Sequence, residues 1–448
     1  IYSLAIAGLL VTMGNLADRI GRKRLLLIGA TGFGAASILA ATASSPEMLI
    51  ASRLLLGVAG ATLMPSTLSL IRNVFPDPTE RTRAIAIWTA AAASGLAIGP
   101  LVGGALLEHF WWGSVFLIIV PVVVILVIAG AWLLPESRDP AGGGFDLVSS
   151  ALSMAAIIPF VYVVKKAFGG DLGGGTLVAA LIAVAAGFAF VRRQRTSRAP
   201  MVDVHLFRVP EFAGAVAVNF ITVFALSGVL FFFSQYLQLA RGMSPLQAGV
   251  AQLPIAIAGM AVALVVAAAL RAYGRGPAIA GALALAAAGL VLLASVEGAS
   301  SSWWVALALI PVGLGIGMSE TLSVDAVVSA VEHQKAGPAS SISETAYELG
   351  VARGLAVLGS LASLAFRLHL DVPAGASPEA SAAVEDSLAT ASAVLEPGDP
   401  LLVQAQQAFT DGMQITTVVA AAVLLVGAAV AWRKIPANRT AVLVEHGG

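Results

Sequence analysis

Cysteine is absent from this 448-residue sequence, and charged side chains make up only 11% of it. Without cysteine the chain has no disulfide bonds, no thiolate metal sites and no cysteine nucleophile. Soluble domains usually carry about 25% charged residues, so an ordinary cytosolic enzyme is excluded. The 25 basic and 25 acidic residues cancel, whereas nucleic-acid binding requires a basic surface. Hydrophobic residues make up 58% of the chain, and their long runs predict an all-α polytopic membrane protein.

The hydrophobic runs can be read as membrane spans, because a helix needs roughly 20 apolar residues to cross a bilayer. Thirteen runs of about this length are bounded by charged residues, glycine or proline. They are Ile1–Ala17, Leu25–Ala43, Met48–Ile71, Ala84–Leu107, Trp112–Leu134, Leu147–Val164, Thr176–Val191, Phe212–Leu239, Leu246–Leu270, Ala278–Ser295, Trp303–Val331, Ala339–Phe366 and Ala408–Trp432.

Basic residues predict the orientation of these spans, since lysine and arginine are enriched in cytoplasmic loops. If the loop after the first span is cytoplasmic, most of the 25 basic residues fall on that side. Only Lys165, Lys166, Arg241 and Arg367 then fall in outer loops. The tail, 433–448, is therefore predicted to be cytoplasmic, and the first residue to lie outside. Because such a start is unusual, we expect one further helix to precede this sequence in the native protein, giving fourteen.

The segment after the first span combines glycines, one acid and a basic cluster. Its defining residues are Gly14, Asp18, Arg19, Gly21 and Arg22. Glycine allows a tight turn between two helices, and the basic side chains can anchor to anionic headgroups. Anchoring does not need an acid, but Asp18 can pair with an arginine or cap a neighbouring helix. A contact that forms only when the cytoplasmic side is closed would act as a conformational latch.

Two further stretches lie on predicted spans. Residues 49–61 place Arg53 inside the third span, and residues 95–104 are rich in small residues, which let helices approach closely. The latter stretch contains Gly95, Gly99, Pro100, Gly103 and Gly104. As evidence for a protein family, the order of the three segments along the chain counts for more than any one segment alone.

Residues 14–24 resemble the signature loop of the major facilitator superfamily, G-x-L-A-D-R-x-G-R-[KR]-[KR], at every defining position. Residues 49–61 resemble the next motif of that family. Residues 95–104 resemble its antiporter motif, which occurs in exporters and not generally in importers. The resemblance implies two helical bundles, here residues 1–134 and 211–432.

Two extra spans, within residues 147–191, separate these predicted bundles, and an arginine-rich cytoplasmic linker, 192–210, follows them. This arrangement is similar to the fourteen-helix drug:proton antiporters, which include quaternary-ammonium and multidrug efflux pumps of bacteria and their mycobacterial relatives. The resemblance implies a monomer in the bacterial inner membrane that exports lipophilic cations such as ethidium. It also implies that the proton gradient drives export, without a cofactor or metal. The second bundle repeats the signature loop only as a remnant, 271–275, without the acid.

Ionisable residues inside the spans are the strongest functional candidates, because each is costly in a bilayer unless it is paired or protonated. They are Arg53, Glu320, Asp325, Glu344, Glu348 and Arg353. Glu344 and Glu348 share one helix face, and the helical rise predicts matching depths for the two acids of the preceding span. Like charges in a low dielectric cannot all ionise, so we expect the four acids to exchange protons for substrate, with Arg53 in the same network. The alternative is that some acids only pair with Arg353 or hydrogen-bond to neighbours.

Aromatic side chains provide candidates for the wall of a substrate pocket, since they bind cations through their ring faces. The candidates are Trp88, Phe220, Phe224, Phe231, Phe232, Tyr236 and Tyr347. Core packing or contact with lipid is the alternative for each of them. The outer loop, 367–400, is acidic, and its alanine-rich part, Ser377–Leu395, is predicted to form a short helix or hairpin.

An enzyme is a different hypothesis, and the histidines argue against it. All five lie at predicted loops or span ends, and the sequence has no HExxH motif. Hydrolysis inside the membrane would therefore lack its base or its metal ligands. A proton-coupled symporter, or an exporter of a metabolite that is not a drug, remains the alternative on the same fold.

Overall fold

The computed structural model describes residues 2–74, 95, 98–136, 147–168, 173–197, 204–298, 302–331, 336–373 and 377–437. Within these ranges the chain is helical and contains no β-strand. Ten of the described helices are long and apolar enough to cross a membrane. The prediction of an all-α polytopic membrane protein is confirmed.

Most of the helices follow the predicted spans, with ends displaced by at most five residues. The last described helix begins eight residues before the predicted start at Ala408, and residues 84–94 and 96–97 of the fourth predicted span lie outside the described residues. They are α1 (Tyr2–Ile20), α2 (Arg22–Ala41), α3 (Pro46–Val74), α4 (98–109), α5 (Ser114–Leu117), α6 (Ile119–Leu133), α7 (Leu147–Phe168), α8 (Gly174–Thr196), α9 (Pro210–Gln235, continued by a π-helical turn, Tyr236–Ala240), α10 (Pro245–Tyr273), α11 (Arg275–Val296), α12 (Ser302–Ser329), α13 (Ala336–His369), α14 (Pro378–Asp386), α15 (Leu388–Val394) and α16 (Pro400–Lys434). A short 3₁₀ turn, Val204–Arg208, precedes α9.

The chain forms two compact units. Unit 1 comprises Ile1–Ile98, Leu106–Val216 and Val327–Ala352, and unit 2 comprises Gly99–Ala105, Ala217–Ala326 and Arg353–Gly448. The predicted bundles had placed all of 1–134 in one half and all of 211–432 in the other. The units differ because part of α4 packs on α10, and because the first part of α13 packs on α1.

Small residues bring the helices of unit 1 together. A side chain at Gly57 of α3 would meet the backbone of Tyr2 and the methyl group of Ala5, so α1 and α3 are in close contact. Gly29 of α2 packs against Thr62 of α3 in the same way. Such close approach of backbones is how helices associate where lipid removes the hydrophobic driving force.

Unit 2 is held by the same kind of contact. Gly228 of α9 packs against Leu358 of α13, and Gly354 of α13 packs against the backbone of Phe224. Gly276 at the start of α11 leaves room for Ile435, just beyond the end of α16. These contacts fix α9 against α13 and α11 against α16.

Two short helices, α14 and α15, follow α13 in Ser377–Leu395, where a short helix or hairpin was predicted. Their N-termini are capped by Ser377 and Ser387, whose side chains accept hydrogen bonds from backbone N–H groups. Val384 and Leu388 are buried against residues of α16, including Leu402. The acidic segment is therefore a packed part of unit 2.

Candidate functional site

Among the predicted acids, Glu348 is the one whose neighbouring groups the structure describes in most detail. It lies on α13, it is buried, and its carboxyl group hydrogen-bonds to Ser3 of α1. The phenol of Tyr2 lies close enough to interact electrostatically with it. The oxygen Oε2 is buried and has no hydrogen-bond partner among the residues that the structure describes. An ionised carboxylate with an unsatisfied buried oxygen is costly and a neutral carboxyl is less so, so this side chain is suited to holding a proton.

Arg53 contributes to the same neighbourhood from α3. The guanidinium group of Arg53 and the carboxyl group of Glu348 both interact electrostatically with the phenol of Tyr2. The guanidinium carbon of Arg53 is 4.9 Å from the ring centroid of Phe116. The side chain of Arg53 is exposed on α3 and lies against the ring of Phe116.

The other predicted acids have different surroundings. Glu344 is partly buried on α13, in unit 1, and Glu320 is partly buried on α12, in unit 2. Asp325, also in unit 2, forms an ion pair with Arg275, with 2.8 Å between Oδ2 and Nη2. Arg353 lies with its guanidinium carbon 5.8 Å from the ring centroid of Phe220. The predicted match in depth between the acids of α12 and α13 stays a prediction.

The aromatic candidates of α9 divide into two groups. Phe220 and Phe224 are partly buried, with ring centroids 6.0 Å apart, and Phe231 and Phe232 meet edge to face at 5.1 Å. Tyr236 is fully buried, stacks on Phe233, and donates a hydrogen bond from its hydroxyl to the main-chain oxygen of Glu297. Both the ring and the hydroxyl of Tyr236 are therefore used in packing, which favours the alternative of core packing for this residue. Tyr347 is partly buried on α13, and Trp88 lies outside the described residues.

A cavity of about 130 Å³ is present in unit 2. It is lined by residues of α9, α13, α15 and α16, among them Phe232, Arg367 and Phe409. Drug-sized ligands occupy pockets of about 300–1,000 Å³, so this cavity alone is too small for such a ligand.

The signature segment is a helix junction rather than a loop. Helix α1 continues to Ile20, and Gly21 alone separates it from α2, with φ of 111°. Positive φ is the conformation that glycine adopts without strain. The side chains of Lys23 and Arg24 reach the end of α6, where they contact the carbonyl oxygen of Ala131 and the carboxylate of Glu136. Gly14, Asp18 and Arg19 belong to α1, and the proposed latch contact of Asp18 lies outside what the structure describes.

The predicted antiporter motif contributes one close helix contact. A side chain at Gly104 would clash with the backbone of Pro245 and Leu246, and a side chain at Gly249 would clash with the backbone of Pro100. Helices α4 and α10 therefore touch backbone to backbone in unit 2. At Gly95, Gly99 and Gly103, no atom of the described residues lies within 4 Å of an added Cβ.

Three polar residues near these sites had no part in the sequence analysis. Tyr2 and Ser3 stand at the start of the first apolar run, where a tyrosine and a serine are unremarkable. Glu297 directly follows α11 and had the pattern of an ordinary loop acid, yet it is buried. Only packing between distant helices distinguishes these residues, and a hydropathy pattern does not report that packing.

Comparison with known proteins gives close relatives over nearly the whole chain. The chain is 44% identical to the multidrug efflux pump LfrA of Mycolicibacterium smegmatis over 435 residues, covering 96% of this chain and 86% of the relative. It is 34% identical to the methyl viologen resistance protein SmvA of Salmonella typhimurium, covering 87% of this chain and 79% of the relative. Among solved structures, the human organic anion transporter MFSD10 matches with a TM-score of 0.58 at 18% identity, covering 96% of this chain and 82% of that one.

The family profile of the Major Facilitator Superfamily matches residues 1–355. This match covers most of the chain, and it agrees with the apolar helices and with the glycine junction between α1 and α2. The chain is therefore a multi-pass membrane transporter, not an enzyme, and it belongs to the major facilitator superfamily.

Proposed function

We propose that this transporter exports lipophilic, mainly cationic drugs and dyes across the bacterial inner membrane in exchange for protons. The observation that carries the proposal is the buried carboxyl group of Glu348, with one oxygen bonded to no described group. A carboxyl group in this position can be neutral with a bound proton or can be ionised and attract a cation. It can therefore exchange one for the other.

The proposed cycle follows from that exchange. Facing the cytoplasm, the ionised acid binds the lipophilic cation. Facing outward, it takes up a proton and releases the cation. The membrane potential favours an entering proton by about 2.3 kcal/mol per 100 mV and opposes an exported monovalent cation by the same amount, so a one-for-one exchange is driven by the pH difference. The gradient is the energy source, and the proposed exporter acts as a monomer without a cofactor, in contact with membrane lipids through its apolar helix faces.

The relatives support the choice of substrate class. One is named as a multidrug efflux pump and another as a methyl viologen resistance protein. Methyl viologen is a quaternary dication, which fits an acid as binding partner. In unit 1, Glu344 shares the helix face of Glu348. Separately, in unit 2, Phe224 and its partly buried neighbours on α9 present ring faces of the kind that attract cations.

Two motif segments are proposed to serve the conformational cycle. The junction at Gly21 joins α1 to α2 without a flexible loop, and Arg24 connects it to Glu136 at the end of α6. We infer that Asp18 adds the latch contact on the cytoplasmic side. The tight contact at Gly104 then keeps α4 on α10 while other contacts change.

Reconstituted vesicles test the proposal. The protein is inserted into liposomes with ethidium, a pH gradient is imposed, and dye movement is followed by fluorescence. We expect dye to move against the proton flow, and Glu348→Gln and Glu344→Gln to abolish this movement. Glu385→Gln, which neutralises an exposed acid of α14, is the matched control and should transport normally.

Each other outcome contradicts a specific part of the proposal. Normal pH-driven efflux in both α13 variants would show that the coupling acids lie elsewhere. Dye movement in the direction of proton flow would identify a symporter. An absence of ethidium transport, together with gradient-driven export of a metabolite, would show that the substrate class is wrong.

A further inference from the structure

Glu297 is a buried acid at the end of α11, outside the membrane-spanning segment and in a different unit from Glu348. Its side chain is 1% exposed. The oxygen Oε1 accepts a hydrogen bond of 3.2 Å from the hydroxyl of Thr417 on α16. The other oxygen, Oε2, is buried and is bonded to no group in the described part of the chain.

The nearby polar groups act mainly on the backbone of Glu297. The hydroxyl of Tyr236, at the end of α9, donates to the main-chain oxygen of Glu297. Arg241 directs Nη1 to that same oxygen at 3.3 Å and to the hydroxyl of Tyr236 at 3.2 Å. Helix α16 contributes the hydroxyl of Thr417 and, beside Gly298, the side-chain amide of Gln414. Neither of these groups ionises. The ionisable groups that face Glu297 among the described residues are therefore Tyr236 and Arg241.

This arrangement holds three helices together at one point. The backbone of Glu297 receives hydrogen bonds from the end of α9, and its carboxyl group receives one from α16. An ionised carboxylate here would have one hydrogen bond and little water, which disfavours the charged form. A neutral carboxyl group fits the same place at a lower cost.

We propose that Glu297 is a proton-binding site, separate from the acids of α13, which keeps its proton at neutral pH and stabilises the junction of α11 with α9 and α16. The predicted topology places this junction on the outer side, where it also places Arg241. The site would therefore respond to the pH outside the membrane. The proposal does not depend on whether Glu348 couples transport to protons.

Burial raises the pKa of Glu297 from its ordinary 4.5 to about 8, and the hydrogen bond from Thr417 opposes this change. Because the folded protein then binds this proton more tightly than the unfolded chain, the stability it contributes is complete below pH of about 4.5. That contribution falls as the pH rises, and it is lost once the pH exceeds about 8.

The test is the heat stability of the purified protein in detergent from roughly pH 4 to roughly pH 10, for the wild type and Glu297→Gln. The glutamine side chain has the shape of the neutral acid and does not titrate. We expect the variant to match the wild type at the acid end and to have the higher melting temperature at the alkaline end. The control Glu385→Gln should differ from the wild type by the same small amount throughout.

A second measurement tests the proposed proton-binding site if the glutamine variant does not fold. Infrared difference spectra of the wild type should show a protonated carboxyl group that titrates near pH 8, the value expected for Glu297. Thr417→Val removes the opposing hydrogen bond and should move this midpoint to higher pH. A pH-independent difference between wild type and Glu297→Gln, or an unchanged midpoint in Thr417→Val, would overturn the proposal.

Discussion

Arg275 and Asp325 form an ion pair in which Nη2 and Oδ2 are 2.8 Å apart. Arg275 begins α11 and ends the remnant of the signature segment, which lacks an acid of its own. The acid is supplied instead by α12, a different helix of the same unit. The side chain of Asp325 is 49% exposed and that of Arg275 only 11%. This relationship favours a structural role for Asp325 over the proton-coupling role that its position in a span suggested.

Asp325→Asn is therefore predicted to reduce stability without removing proton coupling. An ion pair with one exposed member is worth at most about 1 kcal/mol, so we expect a small fall in melting temperature. Ethidium efflux in vesicles should keep its dependence on the pH gradient. A variant with wild-type stability and no coupling would instead return Asp325 to the transport mechanism.

Two adjacent glycines of α4 are predicted to respond oppositely to the same substitution. Gly104→Ala places a methyl group against the backbone of α10 and should destabilise the protein by about 1–3 kcal/mol. Gly103→Ala meets no atom of the described part of the chain within 4 Å and should stabilise the helix by up to about 1 kcal/mol. Melting temperatures of the two variants in detergent check this prediction. Equal effects would show that α4 does not pack on α10 through Gly104.

Tyr236→Phe is predicted to affect stability and not substrate choice. The variant keeps the ring stacked on Phe233 but loses the hydrogen bond to the main chain of Glu297, at a cost of about 1 kcal/mol. Its profile of exported dyes should match that of the wild type, whereas Phe224→Ala should change the profile. A changed profile for Tyr236→Phe, at unchanged melting temperature, would place its hydroxyl in the substrate pocket.

The sequence predicted those features that depend on hydropathy and on glycine. The apolar runs located most of the described helices to within a few residues, because a membrane span must satisfy its own backbone hydrogen bonds. Gly21 was predicted at a tight turn, and it has the positive φ that such a junction requires. For Ser377–Leu395 the composition predicted a short helix or hairpin, and the segment forms two short helices.

The environments of the acids were not predictable in the same way. Asp325 and Glu348 have the same pattern in sequence, an acid among apolar residues. The first is paired with Arg275 and the second hydrogen-bonds to Ser3. Ser3 is far from Glu348 in the sequence, and Arg275 lies on a different helix from Asp325. Both contacts therefore depend on how the helices pack. Glu297 was missed because a loop position gives no sign of burial.

Proton release on substrate binding tests the central claim most directly. Ethidium is added to the purified protein in weakly buffered solution, and the change in pH is recorded. We predict that the wild type and Asp325→Asn release protons as the cation binds, and that Glu348→Gln releases none at ethidium concentrations high enough to overcome its weaker binding. Release from Glu348→Gln equal to that of the wild type would contradict the account, because the exchanged proton would then belong to another group.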